Sequence, residues 1–462
     1  MNTQSQYPAD ILGMHPDEMR RLGHRVVDIV VDRLSCRHEE RAIQCGNPGE
    51  LLAQLGGAIP NEAIDVDTSI DLLTTVALAN QQHGDHPRYF ARVPGPSSYA
   101  AILGEWLATG YNTIAASWGG GAGPATIELI VIDWLRELMG LPSGTEGICV
   151  SGGSIANMTG LGAARATYGL GVAYLTDQTH SSLSRVLKEM GFPKSHIRVL
   201  PSDSGCRMSI SHLKAAIQED RQNKLKPLVV AATAGTTNTG AVDPLHKIAD
   251  ICAENNMWFH IDGAYGAPAA LCGQGREYLA GIGRADSLVL DPHKWLFQPY
   301  DIGCVLVSRP GALEKAYSMT PEYLKDVKGA DQEVDMRNRS LELTRRSRAA
   351  KLWMTFRTYG LKKIRDAVQR GIDLGEFAES EIQRSPETWR LVTPSQIGIV
   401  TFAHKRANEI THEMRAKRLA SEGFAAVSST ILKGQPVLRL CTINPLTTEQ
   451  DISETLRRLG ES

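Results

Sequence analysis

Apolar and polar positions along the chain follow two different periods. Near the N-terminus Met19, Leu22, Val26, Val30 and Leu34 recur every three or four residues, behind Pro16, Asp17 and Glu18. That is the spacing of one apolar helix face with first-turn signals, and it predicts a helix from about Met14 to Leu34. So wide a stripe needs a covering surface, either this chain's own core or a second subunit. From about Asp85 to Tyr359 short apolar runs alternate with loops and helical stretches. Gly147–Val150, Val172–Leu175, Ile197–Leu200, Pro227–Ala232, Trp258–Ile261, Asp286–Leu290 and Gly303–Val307 read as strands, with helices between them such as Leu245–Asn255. This alternation predicts an α/β fold with a doubly wound, mainly parallel sheet. Toward the C-terminus Ile397–Phe402 and Val437–Leu440 read as strands, and Thr447 with Gln450 as a capping box opening a last helix. The expected division is a helical N-terminal arm (1–85), a large α/β domain (86–350) and a small α+β C-terminal domain (351–462).

Composition narrows the function classes. The 462 residues carry 49 Lys+Arg against 51 Asp+Glu, a net charge of −2, with 42% hydrophobic and 22% charged residues. Such a balance fits an ordinary folded protein and gives no basic footprint for nucleic acid. The cluster Arg345, Arg346, Arg348 and Lys351 reads as a solvated helix face or an ion-pair network. No run is apolar for the roughly 20 residues that span a bilayer. The opening MNTQSQYPADILGM lacks the basic and apolar regions of a secretory signal. Eight cysteines are scattered without a CxxC pair, as expected of reduced thiols in a cytoplasmic protein rather than disulfides or a metal site.

Ligands of a parallel sheet bind beyond the carboxyl ends of its strands, so the residues there matter most. Ser151-Gly152-Gly153-Ser154 leads from the first strand into a helix. Its backbone N–H groups and the helix N-terminus suit a phosphate, although such a loop also serves as a plain tight connection. His180 follows the second strand, in a structural or a catalytic role. Asp262 ends an apolar strand, where burial is costly without a cationic partner. Lys294, in Asp291-Pro292-His293-Lys294-Trp295, stands just past another, where desolvation is expected to lower its pKa and free its amine. A phosphate cradle, an acid able to pair with a ring N–H⁺ and a lysine able to form a Schiff base are what pyridoxal 5'-phosphate requires of a protein.

With these residues in place, the chain resembles a group II pyridoxal-phosphate-dependent amino-acid decarboxylase, most of all the aromatic L-amino-acid decarboxylase branch. The likeness runs from the N-terminal helix to the last strand. It is densest in HPRYFARVPGPSSY, DQTHSS, AATAGTT, HIDGAYG, DPHKW, TPEYLKD and RRSRAAKLWMTFRTYG, with HIDGAYG and DPHKW the most specific. The resemblance implies a fold-type-I enzyme, a homodimer with active sites at the subunit interface, that converts an L-amino acid, an aromatic one by preference, to its amine and CO₂. It implies Lys294 as the Schiff-base lysine, Asp262 as the partner of the pyridine nitrogen, Ala264 on the ring face and Thr233 at the phenolic edge. Gly153, Ser154 and His293 match positions around the phosphate and the lysine, and His180 the imidazole stacked over the ring. Tyr323 matches the loop tyrosine that returns a proton to the substrate carbon, and Arg439 an arginine near the substrate carboxylate. Pro94, Arg92 and Trp118 fall at the substrate pocket.

Alternatives remain within this resemblance. Decarboxylation coupled to oxidative deamination gives an aldehyde, but relatives of that kind replace the loop tyrosine or the stacking histidine, and both are kept here. An aminotransferase or carbon–carbon lyase could use the same lysine and aspartate, though Tyr323 argues against it. The branch usually places aromatic residues before Pro94, where this chain has Ala91, Arg92 and Val93, and a tryptophan where it has Gly84. Gly119, Gly120 and Gly121 after Trp118 are expected to widen the pocket. Arg92 invites either a surface carboxylate or an acidic substrate, leaving open an acidic or polar amino acid. Asp291 stands where close relatives carry Asn, and is expected to turn toward a donor such as a backbone amide.

Overall fold

The computed structural model describes residues 11–319, 333–407 and 410–461, so Tyr323 lies outside the described residues. The expected strands form one seven-stranded sheet in the order β1-β7-β6-β5-β4-β2-β3. They are β1 (Glu146–Val150), β2 (Val172–Thr176), β3 (Ile197–Leu200), β4 (Pro227–Thr233), β5 (Trp258–Asp262), β6 (Ser287–Leu290) and β7 (Gly303–Val307). β3, β2, β4, β5 and β6 run parallel to one another, while β7 is antiparallel to both β6 and β1. Two reversals leave β1 pointing the same way as β6. Val150, Thr233, Asp262 and Leu290 therefore end on one edge of the sheet, and the loops that follow them converge. Every residue of β2, β4, β5, β6 and β7 is buried, because helices cover both faces, and this is why these strands read as unbroken apolar runs.

A second, antiparallel sheet has the order β10-β11-β9-β8, from β8 (Trp389–Gln396), β9 (Ile399–His404), β10 (Ser428–Leu432) and β11 (Gln435–Cys441). The helix Ala349–Arg384 packs on both the helix Tyr99–Gly110 and β8. It kinks at Gly360, whose φ of 69° a side chain would oppose. The last helix spans Glu449–Gly460, and its capping box is Thr448 with Asp451. The expected pair Thr447 and Gln450 is thus one residue early: Thr447 instead donates its hydroxyl to the carbonyl of Pro87. The N-terminal helix runs Pro16–Cys36 and buries only Leu22. Its Arg21 and Arg25 pair with Asp67, and Arg25 also with Asp71.

In the basic cluster Arg345, Arg348 and Lys351 form buried ion pairs, while Arg346 is exposed and pairs with Glu105. Arg345 pairs with Glu128 at 2.7 Å with both side chains fully enclosed, Lys351 with Glu105 at 2.9 Å, and Arg348 with Glu342 and Asp301. All eight cysteines are free. Among the described residues no helix is long and apolar enough to cross a membrane.

Candidate active site

A cavity of about 710 Å³ opens at the shared edge of the strands. Its floor comes from the loop after β1, the ends of β4 and β5, and the turn after β6. Its outer wall includes Gln82, Arg92 and Val93 from the N-terminal half and Ser428, Thr430 and Arg439 from the second sheet. Gly153, Ser154, His180, Thr233, Asp262, Ala264, His293, Lys294, Arg92 and Arg439 all line it. Trp118 does not: it opens the helix Trp118–Leu138 and donates its backbone N–H to Asp335 Oδ1. Pro94 is buried beside the wall residue Val93.

Asp262 is buried at the end of β5, with no cationic partner in hydrogen-bond contact among the described residues. Its Oδ1 accepts the Ala264 N–H at 3.1 Å and its Oδ2 accepts from Asn157 Nδ2 at 3.1 Å. The sequence reading missed Asn157, which lies on the helix Gly153–Tyr168 directly after the glycine loop. Behind it, His260 Nε2 meets Asn157 Oδ1 at 2.9 Å, and Ser287 Oγ bonds both His260 Nδ1 and Trp258 Nε1 at 2.7 Å. Burial pushes the His260 pKa down to about 4, so the ring is neutral. Because the indole N–H donates to Ser287, the serine hydroxyl points at Nδ1 and the Nε2–H donates to Asn157. The relay fixes Asn157 with its NH₂ toward the acid. Asn157 Nδ2 also reaches Ser182 Oγ at 3.4 Å, which lies 2.8 Å from His180 Nδ1. His180 itself caps the helix Ser181–Glu189.

Lys294 sits on a four-residue helix, Pro292–Trp295, and its Nζ lies 2.9 Å from Asp291 Oδ2. Asp291 thus turns toward a donor, and the donor is the lysine ammonium. One expectation is corrected. Desolvation does pull the Lys294 pKa down, but the charge and hydrogen bond of Asp291, with Asp262 and Tyr300 behind them, outweigh it and raise the pKa. His293 anchors the turn, with Nδ1 2.6 Å from the Ile302 carbonyl oxygen, and its ring meets Tyr300 at 4.8 Å. Burial lowers its pKa against the pull of Asp291.

Arg439 is 2% exposed, and one guanidinium nitrogen donates to the Arg92 carbonyl. Its Nε and Nη2 have no hydrogen-bond partner among the described residues. Arg92 adopts a φ of 47°, its N–H held by Ser428 Oγ at 2.8 Å, and its guanidinium donates to the neutral Gln82 Oε1 at 3.0 Å. The expected carboxylate partner is not found among the described residues.

These residues fit pyridoxal 5'-phosphate. Position 153 admits no side chain, since a Cβ there would lie 2.9 Å from Asp291 Oδ2 and 3.1 Å from Ala264 Cβ. The backbone can thus approach an anion closely, at the N-terminus of a helix whose N-cap, Gly152, supplies no side-chain hydrogen bond. Thr233 Oγ1 is buried without a hydrogen-bond partner among the described residues. An amine, an acid and a glycine turn share one cavity.

Comparison with known proteins agrees. The model of the pyridoxal-dependent decarboxylase conserved domain matches residues 48–405. The chain is 40% identical to an aromatic-L-amino-acid decarboxylase of Bacillus atrophaeus, over 97% of this chain and 96% of that protein. It is 31% identical to a phenylacetaldehyde synthase of Arabidopsis thaliana, over 97% and 96%. The crystal structure of Oryza sativa TDC with PLP and tryptamine superposes with a TM-score of 0.92 at 27% identity, covering 97% of this chain and 98% of that one. The chain therefore belongs to the pyridoxal-dependent decarboxylase family and is an amino-acid decarboxylase, a carboxy-lyase, with pyridoxal 5'-phosphate as its cofactor.

Proposed function

We propose that this enzyme removes CO₂ from an L-amino acid with an aromatic side chain and releases the amine, with Lys294 as the attachment point of the cofactor. The observation that carries this reading is the convergence of Lys294 and Asp262 on one cavity with the Gly153 turn. Gly153, Ser154 and His293 hold the phosphate, Ala264 and His180 face the ring, and Thr233 supports its edge. Bound pyridoxal phosphate supplies the electron sink for the pair left when the Cα–carboxylate bond breaks. Asp262 keeps a proton on the ring nitrogen, and Asn157 keeps Asp262 aimed at it. Arg439, with two free donors, binds and orients the substrate carboxylate. The phenol of Tyr323 and the imidazole of His180 return a proton to the substrate Cα. Because both of those residues are kept, simple decarboxylation is favoured over aldehyde formation. Turnover is expected to yield one amine and one CO₂ without peroxide; stoichiometric peroxide and ammonia would contradict it.

One observation favours a second reading of the side-chain pocket. Arg92 is bonded to a neutral amide, which leaves its charge available to an acidic substrate. On that reading Arg92→Ala raises KM for acidic amino acids by about tenfold or more, the worth of a lost charge-assisted bond. An unchanged substrate ranking removes Arg92 from specificity.

The active assembly is a homodimer. Met19 and Val26, two turns apart on one face of the N-terminal helix, stay exposed, apolar surface that a second copy would cover. A fully active single-chain species by light scattering would contradict this. The free cysteines suit the reducing cytoplasm. In the three-part division at residues 85 and 350, the seven-stranded sheet (146–307) falls within the second part and the four-stranded sheet (389–441) within the third.

A further inference from the structure

Asp291 is the acid closest to the site's amine, and the roles assigned above leave it unused. We propose that Asp291 is a positioning residue that holds the uncondensed Lys294 as an ammonium ion, and thereby sets the pH at which the protein captures its cofactor. The proposal rests on the reading of Lys294 as the attachment point.

The geometry carries it. Asp291 is 2% exposed, with Oδ2 2.9 Å from Lys294 Nζ and 3.6 Å from His293 Nε2. Its other oxygen, Oδ1, has no hydrogen-bond partner among the described residues. Glycines enclose that carboxylate: a Cβ at Gly153 would approach Oδ2 to 2.9 Å, and one at Gly303 would approach Oδ1 to 2.8 Å. The acid is thus wedged beside the turn expected to receive the phosphate, with the lysine as its counter-ion. Besides Asp291 and His293 on its own turn, the groups facing Lys294 are Asp262 from β5 and Tyr300 from the following loop. Asp291 is the nearest of the acids, and its charge acts against the neutral amine.

An ammonium has no lone pair, so capture begins with loss of a proton from Nζ. The free amine then attacks the aldehyde carbon; a C–N bond forms and the carbonyl oxygen leaves as water, taking up two protons. The product keeps one proton on nitrogen, so charge and atoms balance. Every charge-charge contact that favours the ammonium delays the first step. An opposite charge at this distance moves a pKa by about 1–3 units, so removing it should be visible as a shifted profile.

The test mixes apoprotein with pyridoxal 5'-phosphate from mildly acidic to alkaline pH. It follows the absorbance of the lysine-bound cofactor and fixes the product with borohydride for mass measurement. In Asp291→Asn the midpoint of the capture rate should fall by about one pH unit or more, with capture at neutral pH about tenfold faster. The same shift is expected with pyridoxal, which has no phosphate for Asp291 to repel. Titrations of the aldehyde itself are common to both proteins and cancel. Should Asp291→Asn not fold by circular dichroism, Asp291→Ser carries the same expectation. Coincident profiles, or a shift with pyridoxal 5'-phosphate but not with pyridoxal, would overturn the role of Asp291 while leaving Lys294 as the attachment point. Absence of any adduct on Lys294 in either protein would overturn both.

Discussion

Lys294→Ala is expected to lower turnover by roughly 10³-fold or more, and to abolish the covalent cofactor adduct. The size follows from the two functions lost together, covalent attachment and the amine that exchanges with the substrate. The same substitution has a second effect that is independent of catalysis. It leaves the Asp291 carboxylate, 2% exposed, without its ammonium partner. Stranding a buried charge costs on the order of 3 kcal/mol, so the apoprotein should melt at lower temperature. Adding Asp291→Asn should restore most of that loss without restoring activity. Calorimetry on the single and double variants reads this out. Equal melting temperatures for Lys294→Ala and the parent would show that the pair contributes nothing to stability.

Asp262→Asn is expected to retain cofactor attachment but lose roughly 10²–10³-fold in kcat, the usual effect of removing a preorganised electrostatic partner. The asparagine can keep its oxygen toward Ala264 N–H or toward Asn157 Nδ2, but it carries no charge to hold a proton on the ring nitrogen. Its NH₂ group would also face one of those two donors, an unmatched contact. Asn157→Ala should give a smaller fall of the same kind, because it acts only by aiming Asp262. Attachment is read from absorbance and kcat from amine release. An Asp262→Asn enzyme with parental kcat would remove Asp262 from the chemistry.

Much of the fold was legible because its signals are local. Unbroken apolar runs such as Pro227–Ala232 gave buried strands, and the chemistry-bearing residues fell at strand ends where a parallel sheet gathers its ligands. What could not be read depends on register between distant segments. Arg439 meets the Arg92 carbonyl because β11 pairs with β10 in a register that sets Arg439 opposite Ser428. Asn157 reaches Asp262 only once the helix Gly153–Tyr168 packs across β5. Trp118 was placed at the substrate pocket by resemblance, yet it does not line the cavity of this chain. The raised pKa of Lys294 has a different origin. Burial alone lowers it, whereas Asp291, the N-cap of the same short helix and three residues away, supplies the opposing charge. The capping box slipped by one residue because Thr447 and Thr448 offer equal caps locally, and the contact of Thr447 with Pro87 decides between them.

The central claim is that Lys294 bears the cofactor, and it can be measured directly. Holoprotein reduced with borohydride, digested and weighed should show the peptide containing Lys294 heavier by one reduced pyridoxal-phosphate group, with every other lysine unmodified. A saturated holoprotein in which Lys294 stays unmodified, or in which the group sits on another lysine, would contradict the account.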